Sequence, residues 1–183
     1  MNKFFSDYFG LINKAIESTD GLALKDAVTR IKHVGASEKK IILVGNGGSA
    51  AIASHVAVDF VKTARIRAIN FNEADLLTCF SNDYGYERVF EKAVEFYGDE
   101  GDILILISSS GQSENVLRAA VKAKKMKLGI ITFSGFKSNN PLRKLGDANF
   151  WVESNIYNIV EMTHHIWLVA IVDYIIRDIQ NSA

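Results

Sequence analysis

The chain has 183 residues, 48% of them hydrophobic and 23% charged, enough for one well-filled domain. Lys plus Arg and Asp plus Glu each total 21, so the net charge is zero and no broad positive field exists to hold nucleic acid or an anionic membrane. A single cysteine, Cys79, excludes an internal disulfide and suits a reducing, cytoplasmic setting.

The amino-terminal stretch MNKFFSDYFGLINK carries Asp7 inside its apolar pattern and lacks a signal-peptide cleavage site. No apolar run is read as reaching the ~18 residues of a membrane helix. Phe5, Tyr8, Phe9, Ile12 and Ile16 recur at helical spacing, so a first helix is expected to end near Asp20-Gly21. A second carries Leu24, Ala27, Val28, Ile31 and Val34. From about residue 40, short β-type runs alternate with helical patterns. The runs are KIILV (40–44), RAINF (67–71), DILILIS (102–108), LGIITF (128–133) and NFWVES (149–154). They are continuously apolar, as expected of strands buried on both faces of a parallel sheet. Helices are expected at about 49–63, 73–81, 86–97 and 113–126, with Asn140-Pro141 starting a short one to about 145. Lys122, Lys124, Lys125 and Lys127 read as the solvated face of a helix. The last helix, about 157–180, is apolar almost all round, which suits a contact with another subunit or burial within the monomer. With no linker or repeat, residues 1–183 read as one α/β domain with a mostly parallel, doubly wound five-stranded sheet.

Two loops carry the chemistry. Gly45-Asn46-Gly47-Gly48-Ser49-Ala50 follows the first strand and satisfies the loose dinucleotide pattern G-x-G-x-x-A, with Glu73 available as a ribose-binding acid. The same glycines are equally consistent with a tight turn, and no Gly-Lys-Ser/Thr follows to make a P-loop. The second loop is more specific: Ser108, Ser109, Ser110 and Ser113 place four hydroxyls within six residues, and Gly111 lets the backbone approach a ligand. Ser113 fits as the N-cap of the helix that follows. One hydroxyl suffices for a cap, so four point to a polyoxygenated anion at a helix amino terminus. In a parallel sheet both loops emerge at the carboxyl edge, where ligands bind.

GNGGS, SNDYG at 81–85 and ISSSGQSENV resemble the sugar isomerase (SIS) domain family, most closely its phosphoheptose isomerase branch. The likeness runs over nearly the whole chain. It implies that Ser108, Ser109, Ser110 and Ser113 hold a substrate phosphate, that Asn46, Gly47, Gly48, Ser49, His55 and Asp83 line the sugar pocket, and that the protein is a homotetramer with shared sites. It also implies aldose–ketose isomerisation, which needs a base at carbon and an acid at the carbonyl oxygen. The family carries a His and a Glu four apart after GNGGS, and a Gln and a second His eight apart on the last helix; in some members these four also bind zinc. Here His55 matches the first His and Asp59 stands at the Glu position, on one helical face. Aligning Glu161 with the family's Glu leaves Val160 at the Gln position and Leu168 at the second His position, so no metal cofactor is expected. Asp59 is then the expected base and His164, one turn from each altered position, the expected acid. An isomerase of sedoheptulose 7-phosphate (or a related sugar) feeding activated-heptose and surface-polysaccharide synthesis is one reading. A non-catalytic phosphosugar-binding or protein-interaction module is the other. A nicotinamide enzyme leaves the serine loop without a role.

Overall fold

The computed structural model describes residues 1–182. Its centre is a five-stranded, all-parallel sheet of β1 (Ile41–Gly45), β2 (Ala68–Asn70), β3 (Ile103–Ser108), β4 (Gly129–Ser134) and β5 (Ala148–Trp151). The spatial order is β2-β1-β3-β4-β5. Every residue of β1 and β3 is buried, as their unbroken apolar runs anticipate.

Alternate residues of these strands feed two separate cores. Ile41, Leu43, Ile103, Ile105, Ile107 and Phe133 pack with α2 (Gly21–Ala36), α3 (Gly48–Lys62) and α7 (Tyr157–Ser182) on one face. Ile42, Val44, Leu104 and Leu106 pack with α5 (Val89–Tyr97) and α6 (Glu114–Lys125) on the other, which α4 (Ala74–Tyr84) flanks. From β1 the chain winds outward to β2, then returns past β1 to β3 and continues the opposite way to β5. The reversal lies between β1 and β3, so the loops after them part to opposite faces and leave a crevice between them.

Some boundaries differ from the sequence reading. The segment 86–97 is a 3-10 turn at Tyr86–Arg88 followed by α5. The helix expected after Asn140-Pro141 is a single 3-10 turn, Leu142–Lys144, whose Arg143 amide donates to Asn140 Oδ1. By length and composition alone, Tyr157–Asn181 is apolar enough to cross a membrane, contrary to the reading that no run suffices. Half of its most apolar window is buried against the rest of the fold, which makes it a core helix here. The amino-terminal helix α1 (Asn2–Glu17) buries no residue completely; it leans on α7, where Trp167 Nε1 donates to the Ile16 carbonyl.

Beside the serine loop, Asn140 donates its amide to Ser134 Oγ and to the carbonyls of Gly135 and Lys137, which fixes the segment after β4. Gly111 sits above it at φ +62°, where an added Cβ would fall 2.1 Å from Asn140 Oδ1. Gly111→Ala therefore meets both left-handed strain and a buried, fully bonded neighbour, and is expected to lower the unfolding free energy by about 2 kcal/mol. Urea denaturation of the purified variant measures this.

Candidate active site

The two loops meet in a crevice of about 200 Å³, lined by Asn46, Ser49, Ile107, Ser108, Ser109, Ser110, Ser113, Tyr157 and Glu161. A larger groove of about 520 Å³ runs between α2 and α7, but it is lined chiefly by Leu24, Val28, Ala170 and Ile171, and its Lys32 and Asp178 pair with each other. In the smaller crevice, uncharged hydroxyl and amide groups converge from the loops after β1 and β3 and from α7.

Its hydroxyls are largely unspent. Ser113 is the N-cap residue of α6, as its position in the sequence suggests, yet its side chain caps no amide. It turns instead to Ser108 Oγ, 3.2 Å away. Ser109 Oγ is buried with no hydrogen-bond partner. Ser110 Oγ accepts from the Gln112 amide at 3.2 Å, leaving its own proton free to donate. A buried hydroxyl without a protein partner is uncommon, and Ser109 is free to bond a group entering the crevice. The amino ends of α3 and α6 both open here, so the backbone adds positive potential to the hydroxyl donors.

Asn46 ties the loops together. Its amide exchanges hydrogen bonds with Asn115, at 3.0 and 2.9 Å, and its Oδ1 also accepts from Tyr86 at 2.8 Å. Asn115 and Tyr86 were not singled out in the sequence, where Asn115 is only one polar residue in a helical first turn. Gly47, at φ +54°, is the N-cap of α3. Gly48 lets Glu161 come close: a Cβ at Gly48 would lie 2.2 Å from the Glu161 carboxylate in its present position. Burial raises the Glu161 carboxyl above the usual carboxylate value, and the nearby Ser109 hydroxyl opposes this only in part.

The remaining expected residues fall elsewhere. His55 and Asp59 lie farther along α3 and pair with each other, His55 Nε2 being 3.3 Å from Asp59 Oδ2. Asp83 is exposed near the end of α4, takes the Cys79 thiol and the Asn82 amide, and does not line the crevice. His164 is not placed to be the acid. It is completely buried between Phe133 and Trp167, its Nε2 is 3.0 Å from the Ser134 carbonyl, and its Nδ1 has no partner. Val160 and Leu168 share that buried side of α7. The side facing the loops and α3 carries Tyr157, Glu161 and His165 at intervals of four. The near-continuous hydrophobicity of this helix concealed which side was which.

The zinc of some SIS proteins has no home among these residues. Two of its four expected positions are Val160 and Leu168 in hydrocarbon, and among the described residues no three His, Cys, Asp or Glu groups are arranged to hold a metal ion.

Sheet order, crevice and unspent hydroxyls together define a SIS-domain protein. The SIS domain model matches residues 4–135, and the chain belongs to that family. Within it the chain groups with the phosphoheptose isomerases. It is 33% identical to the phosphoheptose isomerase of Fusobacterium nucleatum over 177 residues, 92% of this chain and 90% of that protein. It is 34% identical to the Helicobacter pylori (strain 26695) protein of that name over 169 residues, 88% of each chain. Its fold superposes on phosphoheptose isomerase GmhA from Neisseria gonorrhoeae with a TM-score of 0.87 at 28% identity, covering 95% of this chain and 96% of that one. A phosphoheptose isomerase from Francisella tularensis gives 0.86 at 25% identity over 97% and 96%.

Burial depresses the His164 imidazole to about 4 from 6.5, so the folded protein keeps it neutral where the unfolded chain would bind a proton. Its contribution to stability is present above pH 6.5 and is lost as the pH falls toward 4, by about 3 kcal/mol in all. Urea unfolding between pH 7 and 4 is expected to show this fall, and His164→Leu to flatten it.

Proposed function

We propose that the protein is an aldose–ketose isomerase acting on a sugar phosphate, sedoheptulose 7-phosphate or a close relative, in the synthesis of activated heptose for surface polysaccharide. The observation that carries this reading is the crevice itself, where a buried Ser109 hydroxyl lacks a partner and the Ser113 hydroxyl is withheld from its own helix. Ser108, Ser109, Ser110 and Ser113 then bind the phosphate, with the α6 amino terminus behind them. Asn46 and Ser49 meet the sugar from the floor, and Gly47 and Gly48 let the α3 backbone come close.

The reacting carbons lie at the other end of the substrate. Along α3, His55 is seven residues from Gly48, about 10 Å at the rise of an α-helix, a distance an extended seven-carbon phosphate can bridge. Asp59 is the base taking the carbon-bound proton, and His55 orients it. Asp83 reaches the sugar only if a partner subunit or a movement of α4 brings it there. Phe4, Phe5 and Phe9 on α1 and Met162 and Ile166 on α7 are large apolar side chains left exposed. That supports a homo-oligomer, a tetramer by family likeness, while the lone cysteine and zero net charge favour a cytoplasmic protein without nucleic-acid or membrane partners.

One observation favours the second reading, a phosphosugar-binding module without catalysis: Val160 and Leu168 replace polar groups expected on the last helix and are sealed in the core. Solvent deuterium separates the two. Incubation with sedoheptulose 7-phosphate in deuterium oxide is expected to label the carbon beside the carbonyl, and Asp59→Asn to abolish the labelling. Binding without any exchange by the unaltered protein establishes the module instead.

The crevice generates its own prediction. Ser109→Ala removes a hydroxyl that has no close hydrogen-bond partner and only the nearby Glu161 carboxylate as a neighbouring acceptor, so the ligand-free protein is expected to lose little stability. Its affinity for the sugar phosphate should weaken by about 1–3 kcal/mol, the loss of a hydrogen bond to a charged group. Calorimetric titration beside thermal unfolding checks both halves; unchanged affinity removes Ser109 from the phosphate site.

A further inference from the structure

Outside the serine crevice, His55, Asp59 and His165 form a cluster of titratable side chains where α3 meets α7. His55 engages both ring nitrogens: Nδ1 lies 2.7 Å from His165 Nε2, and Nε2 lies 3.3 Å from Asp59 Oδ2. The rings meet edge to face at 4.9 Å. A carboxylate only accepts, so His55 Nε2–H donates to Asp59, His55 Nδ1 is left as a lone pair, and His165 Nε2–H donates to it. The tautomers are assigned from that pattern. His165 is thus held in one orientation with Nδ1 as its remaining functional atom.

Its position is as telling as its bonding. His165 is one turn beyond Glu161 on the same side of α7, and Glu161 lies against Gly48 in the crevice. Gly48 beside Glu161 and His55 beside His165 show that α3 and α7 run side by side away from the serines. A substrate with its phosphate in the crevice and its chain along this seam ends at His165 and Asp59.

Building on the isomerase reading above, we propose that His165 is the catalytic acid and base at the substrate oxygens. In its protonated form His165 gives the Nδ1 proton to the carbonyl oxygen while the Asp59 carboxylate takes the proton from the adjacent carbon, producing a neutral enediol. Neutral Nδ1 then takes the proton of the neighbouring hydroxyl as Asp59 returns its proton to the former carbonyl carbon. The second carbonyl forms, both residues recover their starting states, and no atom or electron is gained or lost. His164, one residue away, reaches none of this because it faces the core.

The test uses His165→Ala with sedoheptulose 7-phosphate as substrate and imidazole as an added rescuer. Turnover is expected to fall by about 100-fold or more while calorimetric binding of the sugar phosphate is unchanged. Imidazole should restore part of the turnover saturably, which a merely structural side chain would not allow. Should alanine compromise folding, His165→Asn reads the same loss of kcat at retained volume. Undiminished turnover, or a loss that imidazole leaves untouched, overturns the assignment. Turnover by the unaltered protein with an indifferent His165→Ala rejects His165 alone; a protein that binds the sugar phosphate but never converts it rejects the isomerase reading itself.

Discussion

The site depends on one topological fact: β1 and β3 are hydrogen-bonded neighbours although β2 lies between them in the chain. Because winding reverses there, the loop after β1 departs over one face and the loop after β3 over the other. Neither connection fills the gap above the sheet, so two helix amino termini open onto one crevice. Five consecutive pairings, Ile41 with Ile103 through Gly45 with Ile107, hold the loops in fixed relation. The Asn46–Asn115 amide pair then locks them above the sheet edge. Without that adjacency the four serines would be an ordinary polar turn.

The last helix divides its labour by face. Val160, His164 and Leu168 seal one side into the core, where even an imidazole is kept neutral. Tyr157, Glu161 and His165 present the other side to the loops and to α3. A rotation of a single residue around this helix exchanges the two sets, because successive side chains on a helix point about 100° apart. Glu161 lies over Gly48, where an added Cβ would push its carboxylate aside.

Preorganisation here carries a local destabilisation. The fold keeps Ser109 buried without a partner and leaves the α6 amino terminus without a side-chain cap, although Ser113 stands in the capping position. Each is a departure from the usual satisfaction of polar groups, and both occur where a dianion would satisfy them. Binding chemistry is thereby concentrated at the serines, while proton-transfer groups sit apart along α3 and α7.

Much of this was legible in the chain. Apolar runs named the five strands, but only β1 and β3 are buried throughout, as a strand covered on both faces requires; β5 alternates buried and half-buried residues and β2 is half-buried. Glycine-rich and serine-rich turns after the first and third runs named the crevice, because hydroxyls crowded at a helix start exceed what a cap requires. Asn115 and Tyr86 were not legible, since their roles arise from contacts 69 and 40 residues distant in sequence. Nor was the choice between His164 and His165: on a helix that is apolar nearly all round, hydrophobic periodicity carries no direction. Only the packing of α7 against α3 and the sheet decided which neighbouring imidazole entered the core and which met His55.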